Sequence, residues 1–264
     1  MRHRAKRSLG QNFLVDANLQ HKIVEALGAG AHDEVLEIGP GKGALTRHLV
    51  DRVGRLVLVE LDDDLAAALT RRYGDRPDVE VVHGDVLEVE LPFRAPSSAV
   101  VVGNIPYNIT TPIIFRLLER PRPRAIVLMV QEEVADRIVA PVGTKAYGSL
   151  SVGVRSVAEV ERLFKVGRGA FRPVPGVDSA VIRITPRRPE PLDAREEEEL
   201  RILVRAAFQW RRKQLRKILR DHPDIGASDE ALERALEAGE AAPTDRPERV
   251  SPEGFVAMAR SLSG

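Results

Sequence analysis

The chain of 264 residues contains no cysteine. That excludes disulfides, thiolate nucleophiles, zinc–thiolate centres and iron–sulfur clusters. Aromatic residues are scarce, with one Trp, three Tyr and seven Phe. Each aromatic side chain beside a polar motif is therefore worth testing for a role. No apolar run reaches the length of about 18 residues that a membrane-spanning helix needs. The basic N-terminus has no apolar stretch behind it, so no secretory signal is expected and a cytoplasmic location is. Neither sign of charge dominates, since the formal net charge is only +1. The histidines at 3, 21, 32, 48, 83 and 222 show no metal-ligand spacing on one helix face, and no metal is expected.

The composition that remains is that of a globular protein, 43% apolar and 30% charged, long enough for one large domain and a small one. The bases are unevenly placed. Arg2, Arg4, Lys6 and Arg7 open the chain without an acid among them, and Arg205, Arg211, Arg212, Lys213, Arg216, Lys217 and Arg220 form a second cluster. Of the 40 basic residues 33 are Arg. Arginine suits phosphate and stacking contacts, although abundant Ala, Gly and Pro beside it also fit a genomic base-composition bias.

The pattern along the chain is α/β. Asp16 caps a helix carrying Leu19, Ile23, Val24 and Leu27 that stops at Gly28. Buried strands are predicted at 35–38, 55–60, 79–83, 99–103 and 125–130, with helices between them, including one through Leu45, Leu49 and Val50 and one over 110–118. Continuous Val, Leu and Ile in such strands indicate a parallel sheet covered on both faces. Further strands are expected at 150–154, 157–164 and 177–184, the last two as antiparallel edges. The run Pro186 to Pro191 reads as a linker. Beyond it a long helix over 196–219 is predicted, with Arg205, Arg212, Arg216 and Arg220 on the face opposite Trp210, then two shorter helices. The expected division is a domain of residues 1–187 and a helical domain of residues 188–264.

Glu37-Ile-Gly39-Pro-Gly41-Lys-Gly43 joins the first strand of the α/β unit to its helix. Glycines permit a sharp turn and close ligand approach, and a helix N-terminus behind them would offer N–H groups and a positive dipole end. The Gly-x-Gly-x-Gly spacing, with Ala44 at the sixth position, differs from the Gly-x-Gly-x-x-Gly of dinucleotide enzymes. Glu37 suits the cationic amino-acid end of S-adenosylmethionine better than a pyrophosphate. Glu60 ends the second strand, where a carboxylate can accept ribose hydroxyls. Asp85, with Val86 beside it, follows the third strand and can accept from an adenine amine. Together with Gly39 and Gly41 they outline a nucleoside pocket at the carboxyl edge of the sheet.

Asn104-Ile105-Pro106-Tyr107 follows the fourth strand. An adenine amine is a weak nucleophile because its lone pair is delocalised into the ring. It needs acceptors that hold its N–H groups, and the Asn104 side-chain oxygen and the Ile105 carbonyl can serve. Pro106 fixes the turn that aims the carbonyl, and Tyr107 can stack on an extruded base. This combination points to an adenine N6-methyltransferase that uses S-adenosylmethionine.

At this point the chain resembles the KsgA-type family of small-subunit ribosomal RNA adenine dimethyltransferases over nearly its whole length. The resemblance is carried by Leu9-Gly-Gln-Asn-Phe-Leu14, 35–43, 84–87, Gly103-Asn-Ile-Pro-Tyr-Asn-Ile-Thr110, 131–138, Tyr147-Gly-Ser-Leu-Ser-Val152 and Phe171-Arg-Pro-Val-Pro-Gly-Val-Asp-Ser-Ala-Val181. It implies a Rossmann-like class I methyltransferase domain with a small all-helical C-terminal domain, and S-adenosylmethionine as methyl donor. It further implies that Asn12 and Leu14 cover the cofactor, that Gly39 lines it, that Glu60 holds the ribose and Asp85 the adenine, that Asn104 meets both cofactor and target amine, and that Phe171 faces Tyr107 across the base. The implied product is dimethyladenosine at two adjacent adenines of a 3′-terminal hairpin, made by a monomer on an assembling small subunit. Two positions depart from the pattern. Ile105 stands where many relatives carry Leu, which retains the carbonyl, and Gly176 replaces a more usual Lys or Glu and is left unassigned. The rival readings are a macrolide-resistance-type enzyme of large-subunit RNA and an assembly or transcription factor on the same fold.

Overall fold

The computed structural model describes residue 6, residues 10–95 and residues 98–263. Arg2, Arg4 and Arg7 of the N-terminal basic cluster lie outside the described residues. In chain order the elements of the first part are β1 (Phe13–Leu14), α1 (Ala17–Leu27), β2 (Glu34–Ile38), α2 (Thr46–Leu49), β3 (Arg55–Glu60), α3 (Asp63–Tyr73), β4 (Val79–His83), β5 (Val100–Asn104), α4 (Thr110–Leu117), β6 (Ala125–Gln131) and α5 (Glu132–Val139). Then come α6 (Ser149–Arg155), β7 (Ala158–Val166), β8 (Phe171–Arg172), β9 (Ser179–Pro186), α7 (Ala194–Gln209), α8 (Leu215–Asp221), α9 (Asp229–Ala238) and α10 (Pro252–Ser263).

Seven strands form one sheet in the order β4-β3-β2-β5-β6-β9-β7. The first five are parallel. Val, Leu and Ile predominate in them, as expected of strands covered on both faces, and Val35, Leu36, Val57, Leu58, Val101 and Val102 are all buried. The chain runs outward from β2 through β3 to β4, then returns to build β5 and β6 on the other side. The order therefore reverses between β2 and β5, and a crevice opens at the carboxyl ends of strands at such a switch. Ile38 pairs with Gly103 across it, which brings Gly39 and Asn104 together at the sheet edge. A separate two-stranded ribbon pairs β1 with β8, Leu14 opposite Phe171.

α1 starts where Asp16 accepts from the Leu19 N–H and ends at Gly28 in the left-handed region (φ 60°). β9 runs antiparallel to β6 but lies between β6 and β7, so of these two strands only β7 is at an edge, the other edge of the sheet being β4. This corrects the expectation of two edges. Residues 150–154, expected as a strand, form α6 instead, with Leu150, Val152 and Val154 buried.

The chain divides into two compact units, Met1–Ala135 with Glu161–Pro186, and Asp136–Val160 with Arg187–Gly264. The change at Pro186 coincides with the linker, but Asp136–Val160 clusters with the C-terminal helices rather than with the sheet. Within the second unit the buried Tyr147 hydroxyl donates to the Val250 carbonyl at 2.8 Å, and Gly143 N–H donates to the Glu248 carbonyl at 2.7 Å. The long helix expected over 196–219 is broken. α7 ends at Gln209 and α8 begins at Leu215, with Lys213 N–H closing a turn on the Trp210 carbonyl at 2.7 Å. Arg205 thus belongs to α7, Arg212 to the turn, and Arg216 and Arg220 to α8. The four do not share one helix face.

Candidate active site

A cavity of about 400 Å³ opens at the switch between β2 and β5, within the size range of small-molecule sites. Its wall includes the glycine turn, Glu60, Asp85, Val86 and the whole of Asn104-Ile105-Pro106-Tyr107. Asn12 and Leu14 close it from the N-terminal side. Every site residue expected from the sequence lines this cavity except Phe171.

The turn itself is set by backbone geometry. Gly39, Gly41 and Gly43 have φ of 63°, 59° and 77°, a region that costs other residues dearly. Gly41 meets a second demand, because a Cβ there would stand 3.1 Å from the Phe13 ring. Lys42 Nζ lies 4.5 Å from the centroid of that ring, a cation–π distance. The helix expected behind the turn is only the single turn α2, so its dipole is short. The Gly41 N–H instead donates to Glu60 Oε2 at 2.9 Å.

Glu60 ends β3 with 6% exposure, and its other oxygen accepts from Asp62 N–H at 2.9 Å. Burial pushes its carboxyl above the usual range despite these bonds. Glu37, fully buried at the end of β2, accepts from the Thr46 hydroxyl at 2.7 Å. Burial, with a smaller push from the nearby Glu60, raises it to about 7, although the Thr46 bonds pull the other way. Asp85 Oδ1 accepts from Leu87 N–H at 2.9 Å, which orients the carboxylate after β4.

Asn104 is held by its amide nitrogen, which donates to the Asn12 carbonyl at 2.9 Å. That leaves the amide oxygen as its acceptor. The Pro106 carbonyl takes Ile109 N–H and the Thr110 hydroxyl, both at 3.3 Å, so the tetrapeptide runs directly into a 3-10 turn and α4. The Ile105 side chain is buried (1% exposed), anchoring the backbone beneath the cavity. Tyr107 is half-buried, with its hydroxyl 2.6 Å from Ser179 Oγ. Burial raises its phenol above the usual value.

The N-terminal segment is tied to the same edge. Gln20 donates to the Leu14 carbonyl at 3.0 Å and Val15 N–H to the Ala170 carbonyl at 2.8 Å. Gln11 donates to Asp62 Oδ2 at 2.9 Å, and Lys6 Nζ lies 3.1 Å from the same atom. Burial works against ionisation of Asp62, but these bonds and one from Leu65 N–H outweigh it and hold the carboxyl below its usual range.

Phe171 is set apart from the others. Its ring is completely buried in the apolar core cluster that also holds Val24 and Val181, and it is not part of the cavity wall, although Leu14, its partner in the β1–β8 pairing, is. Two residues go the other way. Phe13, given no role of its own from the sequence, forms cavity wall, and Ser179 touches Tyr107 from 72 positions away. Nothing local in the sequence marks either placement.

The sequence model of the ribosomal RNA adenine dimethylase family matches residues 2–243. The chain belongs to that family. It is 42% identical over 264 residues to the ribosomal RNA small subunit methyltransferase A of Geobacter metallireducens, covering 98% of this chain and 96% of that one. Among solved structures it is similar to a dimethyladenosine transferase from Plasmodium falciparum, with TM-score 0.81 and 27% identity over 93% of this chain and 95% of that one. It is also similar to the 23S rRNA methyltransferase ErmE, with TM-score 0.71 and 32% identity over 96% and 100%. The fold is the Rossmann-like methyltransferase fold with C-terminal helices appended.

Proposed function

We propose that the protein transfers methyl groups from S-adenosylmethionine to adenine N6 amines of small-subunit ribosomal RNA. The observation that carries this reading is the convergence on one cavity of a nucleoside-binding acid pair, Glu60 and Asp85, with Asn104-Ile105-Pro106-Tyr107. The donor set suits the cofactor. Two carboxylates can accept from ribose hydroxyls and an adenine amine, the buried Glu37 can meet a cationic ammonium, and Val86 with Ile38 offers apolar wall to an adenine ring. Gly39 and Gly41 allow close approach, and Asn12 and Leu14 cover it. Bound there, the cofactor supplies a sulfonium methyl that is already strongly electrophilic.

The chain then has to position rather than activate. Asn104 Oδ1 and the Ile105 carbonyl accept from the target amine and favour a pyramidal nitrogen. Pro106 fixes the turn, and Tyr107 stacks on the extruded base, worth roughly 1–3 kcal/mol. Orientation of this kind can supply about 7–11 kcal/mol of the barrier.

The pocket reads one adenine, and adenines are everywhere in RNA. Site selection must come from surfaces that read shape and phosphate positions. The C-terminal helical part and the basic N-terminus take that role, acting as a monomer in the cytoplasm on a partly assembled small subunit. The targets are two adjacent adenines of a 3′-terminal hairpin, each carried to the dimethyl stage. The 42% identity to a small-subunit enzyme favours this substrate over the large-subunit one of the ErmE-like reading. Incubating the protein with methyl-labelled donor and unmodified small subunits, then digesting the RNA, tests it. Label in adenosine is expected, and label only in other nucleosides would refute the reading.

A further inference from the structure

We infer that Ser179 is a positioning residue for Tyr107, locking the plane of the aromatic ring that receives the target base. The inference rests on the proposed stacking role of Tyr107. A tyrosine has two side-chain torsions, and a ring fixed only at its Cα can swing across the cavity mouth. This ring is fixed at both ends. Its hydroxyl lies 2.6 Å from Ser179 Oγ, at the short end of the O–H···O range. Ser179 is completely buried, at the first position of β9, opposite Gln131 of β6.

The backbone that carries the Ser179 hydroxyl is held in place, because the strand start is itself clamped. Glu132 N–H donates to the Asp178 carbonyl at 3.1 Å. Asp178 accepts Arg168 N–H at 3.0 Å through Oδ1 and pairs with Lys165 Nζ at 2.9 Å through Oδ2. Lys165 also pairs with Glu132 at 2.9 Å, and Glu132 with Arg162 at 2.6 Å. Lys165 and Asp178 each bridge two elements, so Ser179 sits at the inner end of a charged clamp joining β7, β9 and the start of α5. Burial raises the phenol above its usual value, so it stays protonated beside the Ser179 hydroxyl. The arrangement also turns the Tyr107 hydroxyl toward Ser179. The base meets the ring face, not the phenol, which agrees with stacking as the mode of contact.

The test is a double-mutant cycle on single-turnover transfer to small-subunit RNA with Tyr107→Phe, Ser179→Ala and both together. Each single change should slow transfer about two- to tenfold, the scale of one net hydrogen bond, and the double variant should be no slower than either. A second readout needs no turnover: RNA carrying 2-aminopurine at the target position should be quenched less on binding Ser179→Ala than on binding the wild type. Wild-type rate and quenching in Ser179→Ala would overturn the inference. So would an undiminished Ser179→Ala loss in the Tyr107→Phe background, which would mean that Ser179 acts through the fold and not through this ring. Tyr107→Ala separates the two layers. If it transfers at the wild-type rate, the stacking reading falls and the inference with it; if it is slow while Ser179→Ala is not, only the inference falls.

Discussion

The side-chain amide of Asn104 donates to the main-chain carbonyl of Asn12 across 2.9 Å and 92 positions of sequence. One bond thus joins the tetrapeptide Asn104–Tyr107 to the segment that closes the cavity from the N-terminal side, and it leaves the Asn104 amide oxygen as the free acceptor. Asn104→Ala removes both the acceptor and the tether. Transfer should fall about 10²–10³-fold, as when a single preorganised polar group is removed from other active sites. Calorimetric binding of S-adenosylmethionine should weaken far less. Equal losses in both would mean that Asn104 serves the cofactor alone.

Glu60 and Asp85 should differ in a measurable way. Glu60 satisfies the N–H groups of Gly41 and Asp62 at a nearly buried position, so Glu60→Ala leaves two donors without their carboxylate. It should cost about 1–3 kcal/mol of stability for each donor left buried, besides cofactor affinity. Asp85→Ala releases one turn N–H in a half-exposed loop and should cost affinity with little stability. Urea unfolding and calorimetry on the two variants check the contrast, which identical profiles would contradict.

Glu37 should make the cofactor site pH-sensitive. Its carboxyl is raised from 4.5 to about 7. A raised folded value means that the folded protein holds this proton more tightly than the unfolded chain. The resulting stability is fully present below about pH 4.5 and is lost as pH rises through about 7. The stability of the wild type relative to Glu37→Gln should therefore fall between those limits. Cofactor affinity should move oppositely, because an ammonium needs the ionised carboxylate. It should tighten from about pH 6 to about pH 8 in the wild type, the range in which such a carboxyl ionises, and stay flat in Glu37→Gln.

The parallel strands, α1 with its Asp16 cap and the clustering of Gly39, Glu60, Asp85 and Asn104 were all legible in the sequence, because each rests on local pattern plus the switch-point rule. Three features were not. The Val-rich segment 150–154 has strand propensity, yet its buried face packs as α6 among the C-terminal helices, a tertiary override. The break after Gln209 carries no Gly or Pro. It is closed by the Lys213 N–H bond to Trp210, whose ring packs on His222 at 4.9 Å. The placements of Phe13, Phe171 and Ser179 depend on pairings between β1 and β8 and between β6 and β9, which no local spacing encodes.

That break changes which arginines can meet RNA. Arg205 pairs with Asp224 and Arg220 with Asp221, whereas Arg212 and Arg216 are exposed and have no acidic partner among the described residues. Arg212→Ala with Arg216→Ala should lower the log–log salt slope of RNA binding by about 0.7–0.9 for each phosphate that is no longer neutralised. Arg205→Ala should change it less. An unchanged slope in the double variant would remove this surface from RNA recognition.

The choice of substrate and the extent of methylation are decided together by offering the protein equal amounts of unmodified small and large ribosomal subunits with S-adenosylmethionine. Mass spectrometry then follows the nucleosides of each over time. Monomethyladenosine is expected to rise and give way to N6,N6-dimethyladenosine, on small-subunit RNA alone. Dominant product on large-subunit RNA, or a small-subunit product that stops at the monomethyl stage, would contradict the proposed function.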